Sequence, residues 1–136
     1  MEEVLRVQIA GGADAPARAR GAIAVRPELA GVEDSAALLV SELVTNSVKH
    51  AAADVIDLNL FSDRKCIRVE VVDRGPGFDR FVSPEPEHDG FGLYLVDKFA
   101  DRWGVDTGAA TRIWFELTTG ALQAPGSHMS ELSPYV

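Results

Sequence analysis

The chain has 136 residues, 46% of them hydrophobic, which suits one domain with one core. Its 13 basic and 21 acidic side chains give a formal net charge of -8, which argues against direct nucleic-acid binding, because that depends on clustered lysine and arginine. The longest apolar runs fall far short of the roughly 20 residues that span a bilayer, so we expect no membrane segment. The single cysteine and the lack of a charged-then-apolar leader fit a reducing cytoplasm.

The first part of the chain predicts a strand followed by two helices. Apolar and polar residues alternate over 5–9, the period of a strand with one buried face. Asp14 is expected to cap a first helix, which ends near Val25 or Arg26 ahead of Pro27. A second helix is predicted from about Asp34 to His50, because apolar residues recur there at spacings of three and four. Its buried stripe comprises Ala36, Leu39, Val40, Leu43, Val44, Ser47 and Val48.

The rest of the chain predicts a hairpin, a loop, a third helix and a final strand. Apolar and polar residues alternate over 56–60 and again over 67–71, on either side of a polar turn, which predicts a hairpin. Residues 78–89 are predicted to form a surface loop that can act as a lid. A third helix is predicted to end at Gly104, and a strand to run from Thr111 to Thr118. The helix presents Leu93, Val96, Ala100 and Trp103 on one face, and both tryptophans, Trp103 and Trp114, are predicted to lie in the core.

This order predicts an α+β fold, a two-layer sandwich in which a mostly antiparallel sheet is covered on one face by helices. We assign residues 1–120 to this domain. The tail, residues 121–136, differs in composition, and Gly-Ser-His-Met at 126–129 resembles a scar left by an expression vector. We expect the tail to be disordered or vector-derived.

The second predicted helix carries the first candidate site residues, Glu42 and Asn46. Residues four apart share one face of a helix, so the two side chains point the same way. Asn46 offers a carbonyl oxygen of the kind that Mg²⁺ accepts, and Glu42 can orient an attacking hydroxyl in phosphoryl transfer. Both residues equally suit an ordinary solvated helix surface.

Asp73 follows the second hairpin strand and leads into a turn with Gly75 and Gly77. An ionised carboxylate only accepts hydrogen bonds, which suits the amino group of adenine and rejects the carbonyl of guanine. The two glycines allow a ligand to approach the backbone closely. An ordinary turn after a strand explains the same residues.

Two further glycines, Gly90 and Gly92, precede Leu93 at the start of the predicted third helix. Free backbone N–H groups at a helix start attract phosphate, and small residues let it come close. A flexible hinge is the simpler alternative. Thr111 offers a hydroxyl at the start of the last strand, although threonine is common in strands.

Together these segments resemble the motif boxes of the GHKL (Bergerat-fold) ATPases and kinases. The match is close to the bacterial anti-sigma-factor serine kinases, and it covers roughly residues 4 to 118. It implies a site for ATP and Mg²⁺, in which Asn46 holds the metal, Asp73 contacts adenine and Glu42 is the catalytic carboxylate. The other implied nucleotide-binding residues are Gly75, Gly77, Gly90, Gly92, Leu93 and Thr111. The family's usual Gly-Thr pair is looser here, as Gly108-Ala-Ala-Thr111.

The resemblance also implies partners. Such kinases phosphorylate a serine or threonine of a small STAS anti-anti-sigma protein, and many sequester a sigma factor. We therefore expect an ATP-binding anti-sigma factor with serine/threonine kinase activity that regulates transcription. The alternative is a non-catalytic module that binds ATP or ADP and holds a sigma factor or another regulator. Relatives often dimerise, so a homodimer contact is expected on the exposed faces of the first strand and first helix.

Overall fold

The computed structural model describes residues 1–50, 54–73 and 91–119. Within these ranges the chain forms five strands, three α-helices and a short 3₁₀ helix at Pro27–Leu29. The strands are β1 (Glu2–Ala10), β2 (Val55–Ser62), β3 (Cys66–Asp73), β4 (Arg102–Asp106) and β5 (Thr111–Thr118), and the helices are α1 (Ala15–Ala24), α2 (Glu33–His50) and α3 (Phe91–Phe99). None of the described helices has both the length and the apolar character needed to cross a bilayer. The predicted loop at 78–89 and tail at 121–136 lie outside the described residues.

The strands form one sheet in the order β1-β2-β3-β5-β4, and every described pairing is antiparallel. The helices pack on one face of this sheet around a single cluster of buried apolar side chains. The predicted two-layer α+β sandwich is therefore confirmed. β3 occupies the centre of the sheet, so the residue at its end, Asp73, has a strand on either side.

The helix-facing side of the sheet consists of rows of side chains that run across the strands. Two adjacent rows are apolar from edge to edge; they are Val7, Leu58, Val71, Ile113 and Val105, and then Leu5, Leu60, Val69, Phe115 and Trp103. Paired side chains in such rows lie about 5 Å apart, so each row forms a continuous apolar strip. The row on the other side of Val71 is Ile9, Ile56, Asp73 and Thr111, which begins apolar and ends polar.

Helix α2 covers these rows with the stripe that the sequence predicts. Its residues Ala36, Leu39, Val40, Leu43 and Val44 are all fully buried. Glu33 and Asp34 lie in its first turn, where negative side chains interact favourably with the helix dipole. The apolar period therefore fixes which way the remaining side chains of α2 point, including the polar ones near its C-terminal end.

The opposite face of the sheet carries charged side chains in matched pairs. Glu116 accepts hydrogen bonds from Arg68 Nη1 at 3.0 Å and Arg102 Nη2 at 2.7 Å. The Arg68 guanidinium also lies 3.9 Å from the centre of the Trp114 ring, a cation–π contact. Burial raises the pKa of Glu116, but the hydrogen bonds from Arg102 and Arg68 outweigh it and hold that pKa below its ordinary value.

The prediction for the third helix is wrong at its end. Helix α3 ends at Phe99, and Trp103 and Gly104 lie in β4, a strand that the sequence did not predict. Trp103 pairs with Phe115 of β5 and packs against the core, so its side chain is on the expected buried side but in a different element. Trp103 lies three residues after Ala100, so it happens to fit the helical spacing of the preceding apolar residues. In the structure it instead belongs to the two-residue period of β4.

Two predictions about single residues are also wrong. Asp14 precedes α1 but makes no capping hydrogen bond, because its carboxylate accepts one from Arg18 Nε at 2.9 Å instead. Trp114 is half-buried on the charged outer face beneath Arg68, not in the core. Its neighbours Ile113 and Phe115 face the helices, so strand alternation turns Trp114 outward.

Replacing Gly104 by alanine is expected to destabilise the fold, because a Cβ atom there would lie 2.7 Å from the Trp114 ring. We expect a loss of about 1 to 3 kcal/mol in the free energy of unfolding, the usual cost of overpacking, measured by denaturant titration. Gly21→Ala is the matched control, since a Cβ atom at that exposed position of α1 meets nothing within 4 Å. That control should gain about 0.5 to 1 kcal/mol. Equal stability of the Gly104 variant and wild type would contradict the packing argument.

The Glu116→Gln variant is expected to be less stable at pH 7 by about 1 to 3 kcal/mol, because two arginines lose their charged acceptor. A carboxylate whose pKa is lowered by folding stabilises the protein above its unfolded pKa, about 4.3, and loses that effect as the pH falls through the folded value. The difference between variant and wild type should therefore shrink below about pH 4. Denaturant titrations at several pH values check this, and a constant difference would refute it.

Candidate functional site

The candidate site lies where the helix-facing rows of the sheet change from apolar to polar. Asp73 is paired with Ile56 on one side and with Thr111 on the other. Both polar side chains are deeply buried, Asp73 at 1% exposure and Thr111 at 7%. Residues directly opposite each other in antiparallel strands place their side chains on the same face. The structure therefore brings together Asp73 and Thr111, two predicted site residues that are 38 positions apart in the sequence.

Helix α2 supplies a partner for the buried carboxylate. Ser47 Oγ donates a hydrogen bond to Asp73 Oδ2 at 3.0 Å, and both residues are only 1% exposed. An ionised carboxylate can only accept, so the hydroxyl must be the donor. The bond joins α2 to the end of β3 and offsets part of the cost of burying both polar groups.

Asn46 lies beside Ser47 on α2 and is 5% exposed. Its Nδ2 atom is buried and has no hydrogen-bond partner among the residues that the structure describes. Leaving a buried amide unpaired costs about 1 to 3 kcal/mol, so such a group in a folded protein calls for an explanation. A ligand that pairs with the amide is one such explanation, and the neighbouring Asp73 and Thr111 place other polar groups within the same region.

Residues 31–123 match the family described as Histidine kinase-, DNA gyrase B-, and HSP90-like ATPase. The chain belongs to this family of ATPases. The match runs from just before α2 to beyond β5, so it includes Asn46, Asp73 and Thr111. It leaves out β1 and α1. The antiparallel sheet under a helical layer is accordingly the Bergerat fold of the GHKL ATPases, as the sequence motifs predicted.

The described residues of this ATPase domain suit the nucleotide that its family implies. Asp73 offers a buried acceptor, Thr111 a hydroxyl, and Asn46 an amide with an unpaired buried nitrogen. Ile56 and Leu93 are fully buried apolar residues, Ile56 beside Asp73 in its row and Leu93 in the core. No three His, Cys, Asp or Glu side chains in the described ranges form a group that could hold a metal ion.

Glu42 occupies α2 one turn before Asn46 and is half-buried. Among the described residues it has neither a hydrogen-bond nor an ion-pair partner. Its position four residues from Asn46 places both side chains on one side of the helix, as predicted. The role of Glu42 in catalysis stays a prediction.

The predicted glycines of the ATPase domain fall at the edge of the described structure or beyond it. Gly75, Gly77 and Gly90 lie outside the described residues. Gly92 lies in the first turn of α3, and Leu93 follows it as a fully buried residue of the core. The roles of all five in nucleotide binding stay predictions.

Sequence reasoning missed the role of Ser47, which it treated only as a small member of the buried stripe. The signal was present, because Ser47 is the one hydroxyl residue in a stripe that otherwise consists of alanine, leucine and valine. A buried hydroxyl requires a hydrogen-bond partner, and an aspartate at a strand end is a suitable acceptor.

Two cavities lined by described residues lie away from Asn46 and Asp73. One of about 560 Å³ adjoins the exposed hairpin turn at 63–66, and another of about 560 Å³ lies on the charged outer face of the sheet. In the second, Arg112 pairs with Asp106 at 2.7 Å.

Proposed function

We propose that this ATPase domain binds ATP with Mg²⁺ at Asn46, Asp73 and Thr111, and that it is an anti-sigma factor with serine/threonine kinase activity toward a STAS protein. The observation that carries the nucleotide site is the buried Ser47–Asp73 pair, with the unpaired Asn46 amide beside it. The family match supports ATP binding. The resemblance of the motif segments together to those of anti-sigma-factor kinases supports the finer assignment.

Asp73 is the proposed base-recognition residue. Its carboxylate accepts from Ser47 and, as a group with about four acceptor positions, can also accept from an amino group of the ligand. Thr111 sits directly across from it and can donate or accept at the same edge. These two residues orient the base, while fully buried apolar residues such as Ile56 exclude water from beneath it.

Asn46 is the proposed metal ligand. An amide oxygen coordinates Mg²⁺ without adding charge, which leaves phosphate oxygens and water to complete the octahedron. When bound, ATP supplies the phosphoryl group that is transferred. Glu42 is then the residue that orients and deprotonates the attacking hydroxyl of the protein substrate, the positioning task that phosphoryl transfer requires.

Binding of ATP is tested by calorimetry of the full chain with Mg-ATP. We expect Asp73→Asn to weaken binding by about 10- to 100-fold, because an amide cannot replace a charged acceptor toward an amino group and Ser47 together. Asp34→Asn, an exposed change in the first turn of α2, is the matched control and should bind like wild type. A wild-type protein that gives no heat with ATP at millimolar concentration would refute the nucleotide site.

Kinase activity is tested by mixing the chain with Mg-ATP and STAS proteins from the same genome. Phosphate should reach a serine or threonine, and Glu42→Gln should slow the transfer by about 100-fold or more while ATP affinity changes little. Glu2→Gln, an exposed change in β1, is the control. Undiminished transfer would remove Glu42 from the mechanism. Nucleotide-dependent capture of a sigma factor without any transfer would favour the non-catalytic module instead.

A further inference from the structure

The hydroxyl of Ser47 has an unusual use for a serine within a helix. Serine side chains inside helices commonly bond back to the carbonyl one turn earlier. Ser47 instead donates across the core to Asp73 Oδ2, at 3.0 Å, from a position that is 1% exposed. The preceding positions of the stripe, from Ala36 to Val44, are apolar. Packing of α2 on the sheet therefore does not call for a hydroxyl at this position, whereas the carboxylate does.

The bond fixes the orientation of the Asp73 carboxylate relative to α2, because one of its oxygens is held by a buried donor. An oriented acceptor discriminates more strongly between ligands than a mobile one, because a ligand without the matching donor gains no hydrogen bond at the acceptor position that faces it.

We infer that Ser47 is a positioning residue that makes the site selective for purines with an amino group at C6. The inference rests on the proposed ATP site, where Asp73 contacts the base. A purine with a carbonyl at C6 presents an acceptor to an acceptor and is rejected. A purine with only hydrogen at C6 cannot donate a hydrogen bond to the Asp73 carboxylate. It therefore binds more weakly than adenine by the free energy of one hydrogen bond to a charged group.

The experiment compares Mg-ATP with the Mg-triphosphate of purine riboside, which lacks the amino group, by calorimetry on the full chain. Wild type should prefer ATP by about 10- to 100-fold. In Ser47→Ala this preference should fall by about fivefold or more, through weaker ATP binding, while affinity for the purine riboside nucleotide stays within about twofold. Ser47→Thr keeps the hydroxyl and should keep the wild-type preference.

The control is Ser41→Ala on the same helix, where the hydroxyl accepts from Arg20 Nη1 of α1 at 2.8 Å. It should leave the preference unchanged. If Ser47→Ala does not fold, as judged by its thermal melt, Ser47→Cys replaces it, because a thiol is similar in size and a weak donor, and the same drop is expected.

Three outcomes separate the two proposals. Equal weakening of both nucleotides in Ser47→Ala would mean that Ser47 only packs, and an unchanged preference would mean that Asp73 needs no positioning; either overturns the inference and leaves the ATP site intact. A wild type that binds neither nucleotide overturns the proposed function, and the inference with it.

Discussion

The burial of the Asp73 carboxylate is the constraint on which the rest of the candidate site depends. The sheet provides apolar rows for most of its helix-facing side, and Asp73 ends the central strand in the next row with 1% of its surface exposed. A buried charge is costly unless hydrogen bonds satisfy it. Ser47 of α2 provides one such bond, so the packing of α2 on the sheet also brings a donor to the carboxylate.

The two faces of the sheet satisfy buried carboxylates in different ways. On the outer face Glu116 is held by two arginines and Glu70 by Arg68 Nε at 2.9 Å, so positive charge neutralises each acid. On the helix-facing side the Asp73 carboxylate accepts a hydrogen bond from the Ser47 hydroxyl of α2. A hydroxyl orients a carboxylate without supplying charge, whereas an arginine supplies both. The two faces of the sheet therefore use donors of different kinds.

The sequence predicted the elements whose period is unambiguous and the site residues that follow from them. The stripe of α2 has a clear helical spacing and the hairpin strands alternate cleanly, so Asn46, Asp73 and Thr111 were placed on the correct elements. The sequence did not predict β4, because Trp103 fits both the end of the helical spacing of α3 and the alternation of a strand. Only its pairing with Phe115 in the sheet decides between the two. Trp114 was assigned by residue type, although the alternation around it already pointed outward. The Ser47–Asp73 bond joins residues 26 apart, and no local pattern specifies such a contact.

Helix α2 contributes side chains both to the core and to the candidate site, because successive residues point in different directions around the helix axis. At 3.6 residues per turn, Asn46 and Glu42 differ by about 40° around α2, whereas Ser47 is turned by about 100° from Asn46. Ser47 therefore reaches down to the sheet while Asn46 and Glu42 share the adjoining side. The apolar stripe fixes this rotation, since any turn of α2 that moved Ser47 off Asp73 would also lift Leu43 and Val44 out of the core. The apolar packing along the whole of α2 thus holds Glu42, Asn46 and Ser47 in one arrangement. The candidate site therefore depends on the core beneath it.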